Sequence, residues 1–83
     1  MEFDFSNLRE RIACEYRSLE EFAAAISLSP EQLVLRLNNQ LQFLASEIVE
    51  IAEVLNIPGA EIELYFFLPK FDFIELEGSL LND

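Results

Sequence analysis

The stretch SLEEFAAAISLSPEQLVLRL, residues 18–37, contains two helix starts in close succession. Ser18 is followed three residues later by Glu21, which is a capping box: each side chain bonds the other residue's free backbone N–H. Ser29 repeats this signature and is followed by Pro30, a residue favoured at the first helical position. We therefore predict a helix-turn-helix pattern with the following parts: a helix over 18–26, a turn at 27–29 and a helix over 30–37.

Apolar residues at three- and four-residue spacing predict three further helices, over residues 6–16, 45–55 and 58–66. Ser6 is the predicted N-cap of the first helix, and Cys14 within it is expected to be buried as a small apolar residue. We thus expect a single all-α domain over residues 1–77.

Alternating apolar residues predict an extended segment over 71–77, followed by a frayed tail at 78–83. Residues 2–5 alternate in the same way. The two segments are candidates for strand pairing, within one chain or between two, and the sequence leaves both options open.

The composition excludes several classes of function. The chain has no histidine and one cysteine, which removes Ser-His-Asp and Cys-His catalysis, histidine-ligated metal sites and an internal disulfide. We expect no enzyme activity, no metal and no cofactor. The acidic first residues do not resemble a signal peptide, and the longest apolar run is too short to span a bilayer, so we expect a cytoplasmic protein.

The charge is strongly acidic. Five Lys and Arg residues stand against sixteen Asp and Glu residues, for a formal net charge of −11. A field of this sign repels the phosphate backbone of nucleic acids.

A set of core and capping positions over about residues 3–70 resembles a known family, the small phage and prophage Cro-like regulators of the lambda-repressor-type helix-turn-helix superfamily. These positions include Phe22-Ala23, Ser29, Leu33, Leu37-Asn38-Asn39, Glu47-Ile48, Leu55, Ile57 and Tyr65-Phe66-Phe67. The resemblance implies a five-helix fold and binding of operator DNA. In that superfamily the second helix of the motif lies in the major groove and presents polar and basic side chains.

The surface positions of this helix depart from the family pattern. The usual polar and basic sites are occupied by Pro30, Glu31, Gln32, Val34 and Leu35, and only Arg36 keeps the expected charge. One alternative is a dimeric DNA-binding regulator in which Gln32 contacts an adenine and Arg36 a guanine or a phosphate. A single cation on a protein of this charge is too little to hold DNA at physiological salt, and we therefore favour a protein target.

An exposed apolar patch is the first candidate partner surface. Leu33 and Leu37 supply the inward face of helix 30–37, so Val34 and Leu35 are expected to point outward. Their predicted neighbours in the patch are Leu41, Phe43 and Leu44. The alternatives are that this helix is more buried than usual, or that it packs in a homodimer.

A row of carboxylates on helix 45–55 is the second candidate. Glu47, Glu50 and Glu53 are predicted on the side opposite the apolar residues. They are either a solvated, solubilising face or a mimic of nucleic-acid phosphates that binds the basic groove of another protein.

These observations predict a non-enzymatic phage-type regulatory or inhibitor protein that binds a protein partner. The expected partner is a basic protein that handles nucleic acid, such as a repressor or a CRISPR nuclease. The predicted contact residues are Glu31, Val34, Leu35, Leu41, Phe43, Glu47, Glu50 and Glu53. Two other classes stay open: the DNA-binding dimer that uses Gln32 and Arg36, and a dimerisation module that pairs with a DNA-binding relative.

Overall fold

A computed structural model describes residues 2–70 of the chain. Within that range the chain forms five α-helices, one 3₁₀ turn and no β-strand, which confirms the all-α prediction. The helices are α1 (Ser6–Glu15), α2 (Leu19–Ala23), α3 (Pro30–Leu37), α4 (Ala45–Leu55) and α5 (Ile62–Phe66), and the 3₁₀ turn is Gly59–Glu61. The predicted extended segment 71–77 and tail 78–83 lie outside the described residues.

The core is built around α1, which packs against α2, α4 and α5, while α2 also packs against α3. Its largest fully buried side chains come from every one of the five helices: Leu8, Ile12, Phe22, Leu33, Ile51, Leu55 and Phe66. Burial of each such side chain stabilises the fold by about 1.5–3 kcal/mol. This shared core fixes the position of α3 relative to the other helices.

Ser18 and Ser29 cap their helices as predicted, but the reciprocal half of each capping box is not formed: Glu21 accepts from the Arg17 N–H at 3.3 Å, and Gln32 Oε1 accepts from Arg36. The Ser18 hydroxyl accepts a hydrogen bond from the Glu21 backbone N–H at 3.1 Å, and the Ser29 hydroxyl accepts one from the Gln32 N–H at 3.3 Å. These bonds satisfy backbone donors that have no partner within the helix.

The prediction that Ser6 caps α1 is wrong, because Ser6 is already the first helical residue. The Asp4 carboxylate accepts from the Ser6 backbone N–H at 2.8 Å and also from the Ser6 hydroxyl. A carboxylate two residues upstream therefore satisfies the N–H of the first helical residue, which has no partner within the helix.

The α2 helix is shorter than predicted, so the turn at 27–29 is wrong in extent: residues 24–29 lie outside both helices. After Ala23 the backbone tightens to bonds over three residues, such as Ile26 N–H to Ala23 O at 3.2 Å. Ile26 and Leu28 are both partly buried against the core, and this tighter path brings both of them inward.

Two asparagines end helices in the left-handed conformation, as their chemistry predicts. Asn39 has φ 62° and Asn56 has φ 56°. The Asn39 side chain also holds the N-terminal segment: its Oδ1 accepts from the Phe3 N–H and its Nδ2 donates to the Phe3 carbonyl, both at 2.9 Å.

The N-terminal segment pairs with residues 68–70 of the same chain, and the predicted partner segment 71–77 lies outside the described residues. Phe3 forms an isolated antiparallel bridge with Pro69. The bridge is flanked by a hydrogen bond from Asp4 N–H to the Leu68 carbonyl at 2.7 Å and by one from Lys70 N–H to the Glu2 carbonyl at 3.1 Å. These contacts hold residues 2–4 against residues 68–70.

The prediction that Cys14 is buried is wrong, because its side chain is exposed. Leu8 and Ile12 define the inward face of α1. Cys14 lies two residues beyond Ile12, which places it on the far side of a helix with 3.6 residues per turn.

Candidate functional site

The outer face of α3 is acidic and apolar. Glu31 and Gln32 are exposed, Val34 is 36% exposed and Leu35 is half-buried. Leu33 and Leu37 are buried on the opposite face at 0% and 4% exposure, as predicted. The arrangement follows from the helical period, because Val34 and Leu35 are turned by about 100° and 200° around the helix axis from Leu33.

Arg36 is buried at 9% exposure, so the prediction that it is a cation on the surface is wrong. Its Nε and Nη2 donate to the two carboxylate oxygens of Glu47 at 2.8 and 3.1 Å, which is a bidentate ion pair. Its Nη1 donates at 3.0 Å to both the backbone carbonyl and the side-chain Oε1 of Gln32. The arginine thus joins α3 to α4 and points away from any ligand on the outer face.

Glu47, Glu50 and Glu53 do not form the exposed row that the sequence predicted. The Glu47 side chain is 11% exposed and holds Arg36; it also accepts from the Leu44 N–H at 2.8 Å. The half-buried Glu50 accepts from the Ser27 N–H and hydroxyl at 2.8 and 2.9 Å. Only Glu53 is exposed.

The physical reason is tertiary packing. Helical spacing places these three carboxylates on one side of α4, but α3 and the turn before it contact that side. Glu47 and Glu50 therefore bind groups of their own chain and stabilise the position of α3.

A groove lies between α2 and α3 and is lined by residues of the stretch 18–37. Its volume is about 750 Å³, and it is lined by Leu19, Glu20, Pro30, Glu31, Val34 and Leu35. Four of these residues are apolar and two are carboxylates, and none is basic. Glu31, Val34 and Leu35 are predicted site residues, and the structure brings them together.

Leu19, Glu20 and Pro30 complete the groove, although the sequence did not predict them as site residues. The resemblance to Cro-like regulators offered a signal for Leu19, because that family commonly has glutamine at this position and this chain has leucine. Glu20 and Pro30 line the groove because of how α2 packs against α3, and the sequence pattern within each helix does not predict that packing.

Leu41 and Phe43 lie in a second concavity, so the structure divides the predicted single patch. This pocket of about 340 Å³ is also lined by Phe3, Phe5, Asn39, Gln42, Phe66 and Phe67. Phe43 is half-buried and makes edge-to-face contacts with Phe5 and Phe66, with ring centroids 5.4 and 5.3 Å apart. It therefore contributes to the core as well as to the surface, whereas Leu41 is 44% exposed.

Leu44 is exposed at 58% and stands at the N-cap of α4. Its side chain has no acceptor, so only the Glu47 half of a capping box is formed. A leucine at this position adds exposed apolar surface but supplies no side-chain acceptor to the start of α4.

Over residues 2–70, no group of three or more Cys, Asp and Glu side chains is arranged to hold a metal ion. No helix in this part of the chain is long and apolar enough to cross a membrane.

The fold and the groove define a small all-α domain whose exposed α2–α3 surface combines apolar side chains with carboxylates. The chain belongs to the family described as Protein of unknown function (DUF739), whose model matches residues 1–68. Among curated proteins, no match to the chain is found.

Proposed function

We propose that this chain is a non-enzymatic phage-type regulatory or inhibitor protein, in which a helix-turn-helix scaffold of the lambda-repressor type binds a protein partner through the α2–α3 surface. The scaffold proposal is supported by α2 and α3, which pack against each other around the turn at 24–29. It is also supported by the resemblance of the core and capping positions to Cro-like regulators.

The burial of Arg36 is the observation on which the choice of ligand depends. The only cation of α3 is bound by Glu47 and Gln32, so the helix that would enter a DNA groove presents Glu31 and Val34 instead. Binding to DNA requires cations that neutralise phosphates. To contact a base or a phosphate, Arg36 would have to leave its bidentate ion pair and leave the Glu47 carboxylate without its partner.

The proposed partner is a basic protein that handles nucleic acid, in the manner of an antirepressor or an anti-CRISPR protein. The formal net charge of −11 favours such a partner, because complementary fields accelerate association. Glu47 and Glu50 are bound within the chain, so the exposed carboxylates Glu20, Glu31 and Glu53 are the better candidates for this attraction.

A DNA titration tests the proposal. Fluorescence anisotropy of a labelled mixed-sequence duplex and of duplexes from the chain's own genomic neighbourhood should show no binding at physiological salt. Any weak binding at low salt should be the same for Arg36→Gln and for the wild type in variants that remain folded. Tight, sequence-selective binding with a steep salt dependence would support the DNA-binding dimer and overturn the proposal.

A further inference from the structure

We infer that the α2–α3 groove binds an amphipathic helix of the partner that has an apolar stripe flanked by lysines or arginines. This inference rests on the proposed function and specifies the partner's recognition element. The groove in question is the one lined by Leu19, Glu20, Pro30, Glu31, Val34 and Leu35.

The apolar floor accounts for the stripe. Leu19, Pro30 and Leu35 are half-buried, and Val34 is 36% exposed, so each keeps apolar surface that a partner can cover. The α3 wall has eight residues and is therefore about 12 Å long. Two turns of a partner helix present an i, i+3, i+7 stripe of about that length.

The carboxylates account for the flanking cations. Glu20 lies on α2 and Glu31 on α3, so the groove has a carboxylate from each of its two helices, and both residues are exposed. Among the described residues, neither side chain forms an ion pair or a hydrogen bond. Both also lie in the first turn of a helix, where a negative charge stabilises the helix dipole, so they need no partner within the fold.

The backbone of the groove favours a helix over an extended peptide. A bound strand requires an edge with free N–H and C=O groups. The walls here are helices, which have no strand edge: their interior groups bond within the helix, and Ser18 and Ser29 each cap one first-turn donor, the Glu21 and the Gln32 N–H. Side-chain packing is therefore the available mode of binding, and this is how an amphipathic helix binds in a groove.

Amide chemical shifts of the ¹⁵N-labelled full chain test the inference with synthetic helical peptides of about 18 residues. One peptide has a leucine stripe flanked by lysines; the second has glutamates in place of the lysines; the third has the composition of the first with its stripe scrambled. We expect the first to shift the amides of Leu19, Glu31, Val34 and Leu35. The other two should bind at least about tenfold more weakly.

Val34→Glu should abolish these shifts, and Glu31→Lys should weaken binding of the lysine peptide while improving binding of the glutamate peptide. Val49→Glu is the matched control, because Val49 is exposed at 54% on α4 and lies outside the groove. This variant should bind the lysine peptide like the wild type.

The inference is overturned if the lysine peptide causes no shift at millimolar concentration, if it shifts the Leu41 and Phe67 pocket instead, or if the three peptides bind equally. Any of these results would contradict the inference without contradicting the proposed function, because the DNA titration tests that function separately. If duplex DNA shifts the α3 amides selectively, the proposed function fails whatever the peptides do.

Discussion

Arg36 and Glu47 stabilise the protein as a pair, and we expect neither residue to tolerate loss of the other. Both side chains are 11% exposed, so removal of one partner leaves a nearly buried charge without compensation. Arg36→Met and Glu47→Leu should each lower the free energy of unfolding by about 3 kcal/mol. The double variant should lose about 2 kcal/mol less than the sum of the two, as measured by urea unfolding.

The control for this double-mutant comparison is the ion pair of Lys70 and Glu2. Their side chains are 61% and 64% exposed, and their charged atoms are 3.6 Å apart. Glu2→Gln should change the free energy of unfolding by less than about 0.5 kcal/mol. Strictly additive losses for Arg36 and Glu47 would contradict the pairing, and Arg36 would again be available to a ligand.

Asp4 offers a second test at the level of one residue. The hydrogen bonds that it accepts from the Ser6 hydroxyl and the Ser6 backbone N–H hold the pKa of Asp4 below its ordinary value of 3.8. Ser6→Ala removes the larger cause, so the pKa of Asp4 should rise in that variant, as followed by carboxyl NMR titration. An unchanged pKa would contradict the role of Ser6.

The sign of the pH dependence follows from this shift. The folded state binds the Asp4 proton less tightly than the unfolded state does, so ionised Asp4 stabilises the fold fully above the unfolded pKa. That contribution is lost as the pH falls from the ordinary value near 3.8 through the lower, folded pKa. At neutral pH the contribution is fully present and does not change with pH.

The two asparagines that end α3 and α4 differ in what their side chains do, and this difference gives a prediction at the level of elements. Asn56→Gly should change the free energy of unfolding by less than about 0.5 kcal/mol, since glycine also adopts positive φ. Asn39→Gly keeps the same backbone freedom but loses both bonds to Phe3. It should destabilise the protein by about 2 kcal/mol in thermal or urea unfolding. Equal effects would show that the N-terminal segment is not held by Asn39.

The helices were predictable because their signals are local. Ser18, Ser29 and Pro30 specify where α2 and α3 begin, and the spacing of Leu33 and Leu37 specifies the buried face. The end of α2 was not predictable, because it depends on which later side chains the core accepts. Ile26 and Leu28 both turn inward there, and no stop residue precedes them.

The candidate site was predictable in part, for the same reason. Val34, Leu35 and Glu31 follow from the period of α3 alone. The exposure of Arg36, Glu47 and Glu50 does not, because each is decided by a contact between elements. A sequence pattern shows that a charged residue faces away from its own helix's apolar stripe, but it does not show whether another element covers it.

The charge distribution of the whole molecule gives a kinetic prediction. The proposed basic partner should associate faster at low salt than at physiological salt, because attraction between opposite charges is screened. Reversal of the exposed Glu31 and Glu53 to lysine should slow association in stopped-flow or surface-based kinetics, with little change in melting temperature. Reversal of Glu47 should instead unfold the protein, because it would place a second cation beside Arg36. An association rate that does not depend on salt would contradict electrostatic attraction.

The central claim is that a scaffold resembling that of DNA-binding regulators presents a polypeptide-binding surface on α2 and α3. Affinity capture from nuclease-treated extract of the chain's own host, with wild type, Val34→Glu and Val49→Glu immobilised in parallel, tests it most directly. The account predicts that one basic protein is retained by wild type and Val49→Glu and lost with Val34→Glu, all three chains melting within a few degrees of one another. Retention that Val34→Glu leaves unchanged, or selective retention of duplex DNA when nuclease is omitted, would contradict it.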